Sequence, residues 1–545
     1  MELANNYNTT MTNYGYLIKK SEFTPDILEE IKDDLTVKPQ LDNKYNTKVE
    51  EPFPVFQEGQ IKMLLPRFYG LEHFGLPKEI KTKMEDTDRI NLRFNGQLRD
   101  YQEEIISKCK KFLFKDDNLE SLLPYGGGVI VVPPGKGKTC MGLYLAQLIG
   151  YKTLVIVHKT FLVNQWTERI HQYLPDAKIG IIQQDKIDIE GKDIVIGMLQ
   201  SICLKDYEED IFEGFPLVIF DEVHHLGAKV FSKALLKIQA PYTIGLSATP
   251  NRKDKLEKVF YWHLGPLMWE QHADIDTTVK INMYNFNTSI PNKLMKPVFN
   301  FRTKQLNMAK MITNITELEI RNNFIFKLIT NDIFPQIPIK KNKLRAHRIR
   351  KNNILKSNIF ENLMELSTEP FPAFRKLLIL SNRIEHLKRI EALMISYDKR
   401  WKNLIGYYIG GMKEKKLKES ESKPLILATF EMASEGLDIQ DLDTLILATP
   451  KSSITQSIGR ILRLQAHQRN YIPIVYDIVD NVSMFISQGK KRYSDYISKE
   501  YTIDWFNVSD TNINHVNNPF LILPTNNNVD QFIEAEDEFL EVEDE

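Results

Sequence analysis

Cysteine is scarce in this chain. Three occur among 545 residues, Cys109, Cys140 and Cys203. Their spacing fits neither a zinc site nor a disulfide frame, and such usage suits a reducing compartment. No apolar run reaches the roughly 18 residues that a membrane span needs. The opening stretch MELANNYNTT lacks the basic-then-apolar order of a signal peptide. No repeat of solenoid type is visible. Net charge is nearly absent as well, with 71 Lys and Arg against 72 Asp and Glu. These absences point away from membrane spans, disulfide scaffolds and repeat arrays.

What is present is ordinary for a globular protein: 42 % hydrophobic and 26 % charged residues. The length allows two or three domains with real cores. The near-zero charge hides an asymmetry. The last 16 residues, DQFIEAEDEFLEVEDE, hold nine acids and no base. The rest carries 71 basic against 63 acidic groups, and part of the excess lies in KKNKLRAHRIRKN, residues 340–352. A basic body can contact polyphosphate chains; a solvated surface explains the same charges.

Short β-branched runs alternate with amphipathic segments, in two clusters at about 129–246 and 377–479. GVIVV, TLVIV, DIVIG, PLVIF and TIGL form the first; KLLIL, PLILAT, TLILAT and PIVYDIV form the second. Continuous apolar strands separated by helices indicate parallel sheets covered on both faces, hence an α/β class. The expected organisation is an N-terminal accessory segment at 1–90 and a first α/β domain at 91–270. A linker with the basic insertion follows at 271–370, then a second domain at 371–500. The extension at 501–545 ends in the acidic tail.

The strand GVIVV runs into PPGKGKT and then into CMGLYLAQLIG, a helical pattern. Strand, glycine loop and helix are the context of a phosphate-binding loop. In it Pro133, Pro134, Gly135, Lys136 and Gly137 would surround an anion with backbone N–H groups, aided by the helix dipole. Lys138 would reach the β- and γ-phosphates of ATP, and the Thr139 hydroxyl would ligate Mg²⁺. The strict loop pattern has glycine at 132, where this chain has valine. Some 80 residues on, LVIFDEVHHL places Asp221 and Glu222 after an apolar strand. There Asp221 can hold Mg²⁺ and Glu222 can deprotonate the attacking water.

DEVH (221–224), SAT (247–249), LILSNRIEHL (378–387), ATFEMASEGLDI (428–439) and QSIGRILR (456–463) resemble motifs II to VI of superfamily 2 helicases. They occur in the expected order, with LRDYQ ahead of the phosphate loop, and the resemblance covers about 91–480. GLSATPNRKDKLEKVFYWHLGP and LLPRFYGLEHFG are most similar to the XPB-like branch, in particular the transcript-release helicases of poxviruses and other large DNA viruses. The resemblance implies two RecA-like domains in tandem, with ATP in the cleft between them. Gln102 would select adenine through its two-faced amide; a structural glutamine is the alternative. Gly436 and Asp438 would lie near the ribose and phosphates. Arg460 and Arg463, three apart, would share a helix face and stabilise the transferring γ-phosphoryl group. His224, Ser247, Thr249 and Gln456 would couple cleft closure to strand movement.

Candidate grips on a nucleic acid strand are His158, Thr160, Gln200, Ser201, Asn382, Arg383 and Thr429, all following strand ends. The reading is an ATP-dependent helicase or translocase, on DNA by resemblance, with transcription machinery a possible partner and viral transcript release a possible role. An RNA-directed ATPase and a nucleotide-gated scaffold are the rivals, since phosphate grips do not read the sugar. Oligomeric state is left open. The Asn-, Lys- and Ile-rich composition suits an AT-rich viral genome, so host cytoplasm, a viral factory or the virion are the expected locations.

Overall fold

The structure is a computed structural model. It describes residues 7–39, 51–81, 89–115, 123–133, 135–205, 207–212, 214–223, 229–238, 240–248, 256–271, 276–288, 292–302, 306–333, 375–435, 437, 439–464, 466–510 and 512–516. The basic run at 340–352 and the acidic tail lie outside them. Two compact units divide the chain, Met1–Ala273 and Asp274–Glu545. Each holds an eight-stranded sheet that is parallel apart from one edge strand, the RecA-like α/β arrangement.

The first large sheet runs Lys186–Asp188, Ile179–Gln183, Ile194–Met198, Thr153–Val157, Leu217–Asp221, Tyr242–Ser247, Gly126–Val131, Leu267–Glu270. Its central strands are continuously apolar because both faces are covered. Val129, Leu154, Ile156, Val218 and Phe220 enter the core on one face. Their neighbours Ile130, Val155, Val157, Leu217 and Ile219 enter the core on the other. Each such side chain contributes about 1.5–3 kcal/mol by leaving water, so a polar residue at any of these positions would be costly.

The described residues 7–39 and 51–81 are not a loose appendage. Five strands, in the order Gln57–Glu58, Lys62–Leu65, Gly15–Lys19, Thr10–Thr12, Glu79–Lys81, form a small sheet in the same unit. The buried Arg67 guanidinium docks it, donating to the carbonyls of Ala240 (2.6 Å) and Pro241 (2.9 Å), just before the strand Tyr242–Ser247. Tyr69 meets Trp262 edge-on at 5.4 Å.

The second large sheet runs Ile405–Tyr408, Leu425–Thr429, Leu377–Ser381, Thr444–Leu447, Ile474–Asp480, Lys280–Asn287, Thr502–Ser509, Asn512–Val516. Its membership corrects the sequence reading at both ends. Lys280–Asn287, expected in a linker, is an interior strand paired with Ile474–Asp480 and Thr502–Ser509. KINMYNFN hides its strand nature because asparagines interrupt the apolar run, and cross-strand pairing accommodates Asn285. Asn285 Nδ2 donates to Asn507 Oδ1 at 3.2 Å. Two buried ion pairs brace Ile474–Asp480, one on each face. Arg321 forks onto Asp480 at 2.5 and 2.9 Å and donates to Ala448 O. Arg492 forks onto Asp477 at 2.6 and 2.8 Å and donates to Lys451 O. Both therefore hold the backbone that leads into the helix Thr455–Ile461. The three cysteines are buried thiols.

Candidate functional site

The phosphate loop is shaped by glycine. Gly135 and Gly137 have φ of +82° and +81°, a region L residues avoid. A Cβ at Gly137 would also lie 2.4 Å from Gln102 Nε2, so that amide would have to move. Gly137 caps the helix Lys138–Ile149, so the helix N-terminus opens on the loop. Pro134 lies outside the described residues.

Gln102 is engaged with this loop. Its Oε1 accepts from Arg99 N at 3.0 Å, and its Nε2 donates to Lys136 O at 3.0 Å. Tyr101 Oη also donates to Lys136 O, at 3.2 Å, and Lys136 lies over the Tyr101 ring at 5.2 Å. The amide thus ties the helix Asp100–Lys110 to the loop, the structural role held open above, and an adenine contact is left as a proposal.

The acid pair converges on the same loop. Lys138 Nζ and Glu222 Oε1 form an ion pair at 2.6 Å, with both side chains mostly buried. Asp221 ends the strand Leu217–Asp221, and Glu222 N donates to its Oδ1 at 3.1 Å. Glu222 has φ of +51°, a strained conformation for a non-glycine residue. Burial pushes the Asp221 carboxyl up from its ordinary value, and the adjacent Glu222 adds to this. Lys138 and the Trp166 indole N–H act against that rise; Trp166 Nε1 donates to Asp221 Oδ2 at 2.9 Å. Trp166 was not anticipated. It lies in the helix Thr160–Tyr173, 55 residues before the acid it serves, and no local pattern marks it.

The donor set fits a magnesium–nucleotide complex. Asp221 offers hard carboxylate oxygens beside a cationic Lys138 and an N-terminal helix end. Among the described residues no group of three or more His, Cys, Asp or Glu could hold a metal. A magnesium ion here would need nucleotide and water oxygens to complete its shell.

Ser247 is fully buried, and its carbonyl accepts from Val132 N at 3.0 Å, joining the strand end to the start of the phosphate loop. His224 and Thr249 lie outside the described residues, as do Gly436 and Asp438. Gln456 is half-buried on the helix Thr455–Ile461.

Arg460 and Arg463 meet, but not as a shared helix face. The helix ends at Ile461, so Arg463 is carried by the following turn. Both reach one acceptor: Leu437 O receives Arg460 at 2.8 Å and Arg463 at 2.6 Å. Leu437 lies within the ATFEMASEGLDI stretch, which the arginines thereby hold.

The strand-end residues gather at the C-terminal edges of their parallel sheets, where open α/β sheets bind ligands. In the first unit Val157 and Met198 are paired neighbours, and just beyond them Gln200 Nε2 donates to His158 O at 2.5 Å. His158 is only 4 % exposed, whereas Thr160 is exposed at the start of its helix. The Ser201 hydroxyl accepts from Gln184 N at 3.0 Å. In the second unit Ser381 pairs with Thr429, and Asn382 N donates to Thr449 Oγ1 at 2.9 Å. Arg383 reaches sideways to the helix Met308–Glu317, donating to Ala309 O (3.0 Å) and Thr313 Oγ1 (3.3 Å).

Comparison with known proteins agrees with this geometry. Residues 95–252 match the family model described as "Type III restriction enzyme, res subunit". A protein of Acanthamoeba polyphaga mimivirus named "Putative ATP-dependent RNA helicase" is 33 % identical over 514 residues, covering 93 % of this chain and 89 % of the relative. A protein of the same name from African swine fever virus (isolate Pig/Kenya/KEN-50/1950) is 27 % identical over 417 residues, 74 % of either chain. "DNA 3'-5' translocase XPB2" of Sulfurisphaera tokodaii is 26 % identical over 422 residues, 75 % of this chain and 89 % of that one. With two RecA-like sheets, a glycine loop facing an acid pair and a viral relative matched along nearly its whole length, the chain belongs to the superfamily 2 helicases, a family of ATP-hydrolysing enzymes.

Proposed function

We propose that this protein is an ATP-dependent helicase or translocase that moves on DNA. The observation that carries the reading is the Lys138–Glu222 ion pair beside Asp221, at the mouth of a glycine-shaped loop. In it Lys138 would bind the β- and γ-phosphates, and Thr139 and Asp221 would hold Mg²⁺. Magnesium–ATP supplies the phosphoryl group and its charge neutralisation. Glu222 orients and deprotonates the attacking water. Arg460 and Arg463, which share Leu437 O as acceptor, would act on the γ-phosphoryl group. Hydrolysis would then change how a strand is gripped. Thr160, Gln200, Ser201, Asn382, Arg383 and Thr429 form that grip, with the buried His158 holding Gln200 through its carbonyl, and Ser247 transmits the change through Val132.

The names of the relatives divide between an RNA helicase and a DNA translocase. RNA as the strand is therefore the second reading, and both remain compatible with release of a transcript. ATPase measured with DNA or RNA oligonucleotides, alongside strand displacement on matched duplexes, tests the proposal. Stimulation and displacement stronger with DNA are expected. Stronger activity with RNA would overturn the DNA assignment, and ATP turnover indifferent to either would favour a nucleotide-gated scaffold.

A further inference from the structure

Between Asp276 and Glu317 the chain has no acidic residue, yet it carries six basic ones. Four of these, Lys293, Lys296, Arg302 and Lys310, are exposed in the structure. The same stretch carries two outward phenylalanines, Phe299 at 56 % and Phe301 at 89 % exposure. Its apolar needs are met elsewhere. Leu294, Met295, Val298, Leu306 and Met308 pack against a core that includes Met311, Ile315 and Phe485. The base of the loop is closed by an antiparallel bridge between Phe299 and Leu306 and by Asn307 N donating to Val298 O at 2.7 Å. The base is thus braced, and both phenylalanines are exposed beside it.

Its position points to the occupant. The loop follows the C-terminal end of the strand Lys280–Asn287 and feeds the helix Met308–Glu317. That helix is where Arg383, a proposed strand grip, is anchored through Ala309 O and Thr313 Oγ1. Exposed aromatic rings between cations, with no acid nearby in sequence, match the chemistry of single-stranded nucleic acid. Cations meet phosphates and rings stack on bases. A helix-backed loop tied to Arg383 would present both to one strand.

We infer that the loop at 293–302, together with Lys310, is a base-stacking site for single-stranded nucleic acid, with Phe301 and Phe299 as the stacking rings. This rests on the reading of the protein as a nucleic-acid motor and adds a contact outside its helicase motifs. Stacking tolerates any base, so the site suits a motor that must step along arbitrary sequence.

The test is affinity of full-length protein for labelled oligo-dT and oligo-U across a salt series. Variants are Phe299→Ala, Phe301→Ala, Phe301→Leu, Phe301→Trp and the pair Lys296→Ala with Arg302→Ala. Thermal unfolding of each variant checks the fold. Phe301→Ala and Phe301→Leu should bind about fivefold or more weakly, while Phe301→Trp keeps affinity because it keeps a π-face. The basic pair should flatten the salt dependence by roughly 0.7 per lost phosphate contact. The oligo-dT and oligo-U arms show whether DNA, RNA or both occupy the site. Wild-type protein that binds neither oligonucleotide would overturn the motor reading itself. Normal binding by wild type and by all phenylalanine variants would overturn the stacking site alone, leaving a protein partner as the occupant. Normal binding by Phe301→Leu with loss in Phe301→Ala would reduce the contact to apolar packing and overturn stacking.

Discussion

Lys138 and Glu222 stand 84 residues apart in sequence and 2.6 Å apart in space. The pair brings the cation that would meet the β/γ-phosphates against the carboxylate that would take a proton from water. ATP must exchange one partner for another rather than fill an uncommitted site. Removing either residue should therefore have a distinct signature. Lys138→Ala is expected to abolish turnover and ATP binding together. Glu222→Gln is expected to keep ATP binding while kcat falls about 10²–10⁴-fold, the range for a lost general base. Equilibrium nucleotide binding beside steady-state ATPase separates the two. Normal hydrolysis by Glu222→Gln would assign the base elsewhere.

Trp166→Phe deletes one hydrogen bond to the Asp221 carboxylate and keeps most of the ring volume. The indole N–H favours the charged form, so its loss should raise an Asp221 pKa that burial has already raised. If Asp221 must be ionised to hold Mg²⁺, the acid limb of the pH–rate profile moves to higher pH. The displacement reports the lost hydrogen bond to the charged carboxylate. An unmoved limb with a lower plateau would mean that Trp166 only packs.

Arg460→Ala and Arg463→Ala should each lower kcat by about 10²-fold or more with little change in ATP affinity, since such arginines act on the transition state. Leu437 O receives both groups, so each single variant leaves it one donor, and thermal stability should change little. Unchanged kcat in both would remove the second unit from the chemistry.

Asp443 gives a stability prediction independent of ATP. Burial pushes its carboxyl from 3.8 up to about 6, although the Thr444 hydroxyl, the Lys376 backbone N–H and Arg375 act against the rise. The sign follows from the folded value being the higher one. This residue's contribution is fully present below about pH 4 and is lost as pH rises through about 6. The loss is about 3 kcal/mol at 1.36 kcal/mol per unit. Asp443→Asn, which cannot ionise, should escape it. Denaturant unfolding from pH 4 to 7 is expected to show the variant gaining on wild type across that window. A constant difference between the two curves would refute the assignment.

Some of this molecule is legible in the amino-acid order alone. The two-faced parallel strands are local: GVIVV, TLVIV and KLLIL leave no polar face, so only burial on both sides suits them. The phosphate loop and acid pair are similarly local, because each is a strand end followed by its own turn chemistry. Asparagine-laced Lys280–Asn287 was not legible, since its pattern shows neither the flanking strands nor the Asn507 partner that Asn285 meets there. The short strands of the first 81 residues were equally hidden, being stabilised by docking through Arg67 rather than by their own pattern.

The sequence by itself determined the two parallel α/β sheets and where a glycine loop and an acid pair fall at their strand ends. Only the tertiary structure decided which partner each functional group meets. Asp221 takes its hydrogen bond from Trp166, Gln102 faces Lys136 O, and Arg383 reaches the helix Met308–Glu317. Arg460 and Arg463 converge through a turn, not along a helix face. The physical reason is one of range. Backbone preference and burial pattern are written in neighbouring residues. The choice of a hydrogen-bond partner 34 to 84 residues away depends on how strands are ordered in the sheet, and local pattern carries no record of that order.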